Sequence, residues 1–146
     1  MTPFFRVAKM YTTWNLCAIG LCWYVQVGQD IVRGNSLLIL IVLLTVWITY
    51  DISSLYVELF DSFAPDTTIS SESKQAILFV ADMLLHVVPV VLIGLPHDRI
   101  SLLIAYILYL VWFQLFHDKI HEIYSPRINY NVIQLVLGSF VFAFLW

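Results

Sequence analysis

Apolar residues in this 146-residue chain gather into five long runs, with the polar residues collected in the short stretches between them. At about 1.5 Å per residue, crossing about 30 Å of hydrocarbon takes roughly 20 helical residues, and the runs are of that order. They predict helices over 10–27, 37–58, 75–95, 100–121 and 128–146, a single transmembrane domain over 1–146. Turn and capping residues mark the predicted borders: Gly34-Asn35-Ser36 before the second run, Ser70-Ser71-Glu72 before the third, Pro96-His97-Asp98 before the fourth, and Pro126 with Asn129 before the fifth. Only the stretch from Phe60 to Ser73, rich in Ser and Thr and containing Pro65, is long enough for an extramembrane loop.

Composition turns this pattern into a class. Hydrophobic residues make up 61% of the chain and charged residues 12%, against about 45–50% and about 25% in soluble domains. The mean hydropathy is +0.87. So few ionic groups cannot cover a water-exposed surface. The expected fold is therefore an all-α, polytopic integral membrane bundle whose first partners are membrane lipids. Intrinsic disorder, collagen-like repeats and a disulfide scaffold are excluded. The net charge of -3 comes with no basic stretch, so no nucleic-acid partner is expected. Cys17 and Cys22 lie on different faces of the first run and read as small packing residues.

Orientation follows from the basic residues. With five spans, Arg6, Lys9, Lys74, Lys119 and Arg127 share one side and Arg33 and Arg99 the other, which places the N-terminus inside. The first run follows Arg6 and Lys9 as a secretory signal would. It contains Asn15 and no small-residue cleavage site, and so reads as a retained signal anchor. Tyr11, Trp14, Trp23, Tyr24, Tyr124, Tyr130 and Trp146 fall near predicted ends, where amphipathic rings favour the headgroup region.

Alternating directions let buried polar residues be placed by depth. Asn15 lies roughly 9 Å above Lys9, Asp51 roughly 10 Å above Glu58, Asp82 roughly 12 Å above Lys74 and Gln134 roughly 10 Å above Arg127. Gln114 joins them if the fourth helix continues to Glu122. A carboxylate costs about 2.5–3.5 kcal/mol at the centre of a membrane helix, so this predicted polar layer should face a neighbouring helix or a wet cavity. Two readings remain open: a packing network that fixes helix register, or a proton, ion or catalytic site.

Asp82 and His86 sharpen the second reading. Four residues apart on one helix face, they are spaced for a carboxylate to orient an imidazole that acts as a base. Pro89 removes a backbone donor one turn further on and predicts a kink beside His86. The string His117-Asp118-Lys119-Ile120-His121-Glu122 offers i, i+4 histidines and a nearby carboxylate. That spacing suits zinc in principle, and equally suits a helix C-terminus at the interface. No third ligand is evident, and neither a metal nor a cofactor is expected.

From Leu84 onward, about sixty residues resemble the C-terminal part of the androgen-induced-gene family, multi-pass membrane threonine hydrolases that cleave fatty acid esters of hydroxy fatty acids. The features are His86 and Pro89 with an aliphatic run to Leu95, Pro96-His97, Ala105-Tyr106, Tyr109, Trp112 and Tyr124-Ser125-Pro126. The resemblance implies a lipid-ester hydrolase or acyl transferase in which the family's histidine falls on His86. Its threonine belongs on an earlier helix, where Thr45 lies at a depth close to that of His86 and Thr49 is the reserve. Asp82 would then orient the imidazole. The alternative is a non-catalytic subunit holding together a larger membrane assembly with other membrane subunits, as in a respiratory or photosynthetic complex or the membrane of a large virus. A third reading is a proton or ion pathway through the same carboxylates.

Overall fold

A computed structural model describes residues 3–145, with side chains from Arg6 onward. All regular secondary structure among the described residues is helical. The helices are α1 (Pro3–Lys9), α2 (Tyr11–Val25), α3 (Gln29–Thr49), α4 (Ile52–Phe63), α5 (Ser71–Ile93), α6 (Arg99–Ile123) and α7 (Tyr130–Leu145). Three of them, α3, α5 and α6, are long and apolar enough to cross a membrane. Helix α7 is a shorter apolar helix of 16 residues, and α2 has 15. Trp146, the predicted end of the fifth run, lies outside the described residues.

Helix α3 is central, packing against α2, α5, α6 and α7. Its buried residues form two stripes, Val32, Asn35, Ile39, Leu43 and Val46 on one and Gly34 and Leu38 on the other. Two stripes are what a helix with neighbours on both sides requires. Helix α6 buries Leu102, Ala105, Tyr109 and Trp112, and α7 buries Ile133, Leu137 and Val141, at the three- and four-residue spacings of single helix faces.

Two predicted borders are corrected. Gly34-Asn35-Ser36 does not precede a helix; it lies inside α3, fully buried. A Cβ on Gly34 would stand 3.0 Å from Ala105 Cβ and 3.3 Å from Leu102 Cα, so the glycine sets the closest approach of α3 and α6. Lipid tails are as apolar as leucine, and helix association in such surroundings rests on this kind of close fit. The flanking polar residues are satisfied across helices, Asn35 by the Tyr11 hydroxyl at 2.8 Å and Ser36 by Asn15 at 2.9 Å. Small and polar residues that resemble a turn in sequence here form a three-helix junction.

The second correction is at Tyr50-Asp51, where the predicted helix over 37–58 divides. Tyr50 is extended (φ -120°, ψ 157°) and α4 begins at Ile52. Its polar residues, Ser54, Glu58, Asp61 and Ser62, interleave with Leu55, Tyr56, Leu59 and Phe60, so α4 is amphipathic and packs along α5. It also takes up the first residues of the predicted Phe60–Ser73 loop. The loop that remains, 64–70, ends at Ser70, whose hydroxyl accepts from the Ser73 N–H at 3.2 Å. The expected start of the fourth run matches: Asp98 caps α6 by accepting from Ser101 N–H at 2.7 Å.

Polar side chains tie each end of the bundle. At one end Arg6 is buried and donates to the carbonyls of Ile123 (2.7 Å) and Tyr124 (2.5 Å) and to Ser62 Oγ (2.6 Å). Burial pushes its guanidinium below the ordinary value. Lys74 pairs with Asp61 at 2.5 Å and Arg127 with Glu58 at 3.2 Å at the same end. At the other end Arg33 donates to Ile93 O (2.6 Å) and Asp30 (2.6 Å), while Arg99 donates to Leu145 O (3.0 Å). The terminal carbonyls of α5, α6 and α7 thus each receive an arginine from a different helix, filling acceptors that a helix end leaves open.

Candidate functional site

Helix α5 changes geometry where its sequence predicts a kink. Residues Met83–Val87 form a π-helical turn, and the Val88 N–H reaches back five residues to Met83 O. Pro89, which follows, has no N–H to continue the regular pattern, so the extra residue is absorbed in the turn before it. His86 lies inside that turn.

The predicted Asp82–His86 pair meets. His86 Nδ1 stands 3.0 Å from the Asp82 carbonyl oxygen and 3.4 Å from Asp82 Oδ1. Both are acceptors, so Nδ1 carries a ring hydrogen, and in the neutral imidazole Nε2 then offers a lone pair. Nε2 lies 3.2 Å from Thr12 Oγ1, on α2. Behind the pair, Asp82 Oδ2 accepts a hydrogen bond from the Tyr56 hydroxyl of α4, and Tyr56 in turn accepts from Trp47 Nε1 of α3 at 2.8 Å. On the other side, the Tyr124 hydroxyl accepts from Tyr11 N–H at 3.1 Å and lies beside Thr12. Four helices therefore contribute to one chain of contacts that runs Trp47, Tyr56, Asp82, His86, Thr12. Thr12 is 7% exposed, and the His86 and Asp82 side chains are 16% and 21% exposed.

The hydroxyl beside the imidazole is Thr12, where sequence reasoning pointed to Thr45. Thr45 Oγ1 donates to the carbonyl of Ile41 on its own helix at 2.7 Å, and Thr49 is exposed. Depth along a helix places a residue on a circle, and only packing selects the direction it points. Thr12 shares its helix face with Asn15, three residues on, a signal available in the sequence and unused there.

The expected polar layer separates into parts. Asn15 is buried against Ser36, and Gln134 Nε2 lies 3.4 Å from the Tyr109 hydroxyl. Asp51 is exposed at the start of α4 because the helix breaks there, and Gln114 is exposed because the buried face of α6 carries Tyr109 and Trp112 instead. His117, His121 and Glu122 are also exposed, and a 3-10 turn over His117–Lys119 disturbs their spacing. Among the described residues no three His, Cys, Asp or Glu side chains converge as metal ligands. An open cleft of about 560 Å³ lies beside His117, His121 and Arg127, away from the Thr12–His86 contact.

Comparison of the chain with protein-family models, with curated proteins and with solved structures returned no match.

Proposed function

We propose that this chain is an integral membrane acyl-transfer enzyme that hydrolyses lipid esters, with Thr12 as nucleophile, His86 as general base and Asp82 as the group that orients the imidazole. One observation carries this reading: Thr12 Oγ1 lies 3.2 Å from a His86 Nε2 whose opposite nitrogen is held by Asp82. A hydroxyl, an imidazole and a carboxylate in that order are the parts of nucleophilic ester cleavage. The exposed apolar residues Leu84 and Leu85 beside His86 suit an approach from the hydrocarbon. The resemblance to the androgen-induced-gene family implies the same chemistry with its histidine on His86, and the nucleophile moves from Thr45 to Thr12.

The proposed steps are those of ester cleavage through an acyl-enzyme. Thr12 Oγ1 forms a bond to the ester carbonyl carbon while His86 Nε2 takes the hydroxyl proton. The tetrahedral oxyanion collapses, the acyl carbon–oxygen bond to the alcohol breaks, and His86 returns the proton to the departing alkoxide. Water then attacks acyl-Thr12, giving its proton to His86, and the fatty acid leaves as the proton returns to Thr12.

The test uses the whole protein in detergent micelles with a fluorophosphonate probe and a 4-nitrophenyl fatty ester. Thr12→Ala and His86→Ala should each lose kcat by about 10³-fold or more, with the double variant no worse than either, because such groups act as a unit. Thr45→Ala should keep wild-type turnover and labelling. Absence of labelling and turnover in the wild type would sink the enzyme reading and favour a non-catalytic membrane subunit.

A further inference from the structure

Tyr56 is 5% exposed, and its hydroxyl is used from both sides: it accepts from Trp47 Nε1 at 2.8 Å and donates to Asp82 Oδ2. The indole is itself fixed, stacked on the Phe79 ring with 5.6 Å between centroids and 18° between planes. Phe79 and Asp82 are three residues apart on α5, so indole and phenol together close a loop from that helix back to its own carboxylate. Tyr56 reaches this place because the chain breaks at Tyr50-Asp51 and α4 packs back along α5. A phenylalanine at this position would fill nearly the same space, and the hydroxyl adds the two hydrogen bonds.

What those bonds do follows from the placing of Asp82. Its Oδ1 stands 3.4 Å from His86 Nδ1, and its backbone carbonyl oxygen stands nearer, at 3.0 Å. The carbonyl sets the direction of the ring, so the carboxylate adds charge, facing the imidazolium that forms when Nε2 takes a proton. That contribution needs an ionised carboxylate with one oxygen turned toward the ring. A carboxylate away from water holds its charge only where donors meet it, and a donor on Oδ2 fixes the rotation that leaves Oδ1 beside His86. The Trp47 N–H occupies a lone pair of the phenol oxygen and so turns the phenol proton toward Asp82. Resting on the reading of Thr12 and His86 as nucleophile and base, we infer that Tyr56 is a positioning residue for ester cleavage. It holds the Asp82 carboxylate charged and aimed, and its effect passes through Asp82 alone.

Steady-state hydrolysis of 4-nitrophenyl octanoate by the full chain in micelles tests this, with thermal unfolding measured on every variant. Tyr56→Phe should lose about 10–100-fold in kcat, the size of a lost hydrogen bond to a charged group, with KM within about threefold. In an Asp82→Ala background the same substitution should cost nothing further, because the group it acts through is gone. A merely structural phenol would leave the kcat of the folded variant unchanged, or lower it equally in both backgrounds, and either result overturns the inference. Trp47→Phe keeps a ring against Phe79 and frees the phenol to turn, and should lower kcat by about threefold or more. If Tyr56→Phe fails to fold, Trp47→Phe decides: a drop in kcat that vanishes with Asp82→Ala sustains the inference, and wild-type kcat overturns it. Full turnover by Thr12→Ala or His86→Ala overturns the reading beneath it and this inference together. Inactivity of those two with Tyr56→Phe at the wild-type rate overturns the inference and leaves the catalytic pair in place.

Discussion

Arg6 shows how much one side chain carries in a chain with few charges. Its three nitrogens reach two carbonyls at the end of α6 and a hydroxyl of α4, and its guanidinium lies 4.2 Å over the Phe63 ring. Removing it leaves those carbonyls without donors, which costs about 1–3 kcal/mol per buried group. Arg6→Met should lower stability by about 2–4 kcal/mol in thermal unfolding on this basis. Arg6→Lys should recover less than half, because one ammonium cannot reproduce the planar fork. Asp82 allows a finer prediction. The Asp82 backbone carbonyl holds His86 Nδ1 at 3.0 Å independently of the carboxylate at 3.4 Å. Asp82→Asn should therefore reduce ester turnover by much less than the ~10⁴-fold loss of a triad whose carboxylate alone sets the tautomer. A loss near 10⁴-fold would show that the carbonyl contact does not hold the ring.

Among the elements, the contact of α3 and α6 and the π-helical turn of α5 invite separate experiments. Gly34→Ala places a Cβ 3.0 Å from that of Ala105, and overpacking of this kind costs about 1–3 kcal/mol. Adding Ala105→Gly should return much of the loss, and a double-mutant cycle with no coupling would contradict the contact. Pro89→Ala restores a backbone donor and should let α5 relax toward a regular helix, carrying His86 away from Thr12. Stability should hold or rise while ester turnover falls at least about tenfold, and unchanged turnover would separate the turn from the site. The starts of α5 and α6 were readable because Ser70 and Asp98 cap helices with their own side chains, a local event that leaves a local signature. Gly34-Asn35-Ser36 misled because a buried junction of small and polar residues has the composition of a turn. Asp82 with His86 was visible as an i, i+4 pair, whereas Thr12, Tyr56 and Trp47 reach the same place only through contacts 9 to 74 residues apart in sequence. Periodicity within one helix carries no information about which face of the next it meets.

At the scale of the molecule, the uneven covering of the long helices is what a lipid surround would permit. Only 6% of the apolar window of α5 is buried by the rest of the protein, and Val91 and Leu92 are 75% and 77% exposed. In water such a face would drive aggregation, whereas in hydrocarbon it needs no cover. Leu92→Lys should therefore weaken membrane insertion, measured as resistance to alkaline extraction. Such a charge costs about 2.5–3.5 kcal/mol at a helix centre, and less near an end, where the side chain can reach the interface. Unaltered fractionation of both wild type and variant as soluble protein would contradict membrane integration. The arginines that close the helix ends have a consequence for biosynthesis. Arg6 leaves the ribosome 117 residues ahead of the Ile123 carbonyl that receives it, and Arg33 precedes Ile93 by 60 residues. During synthesis Arg33 has Asp30 within its own first turn, whereas Arg6 has none of its carbonyl acceptors until the end of α6 is made, so a chain stalled before Ile123 would expose a charge that the finished protein conceals.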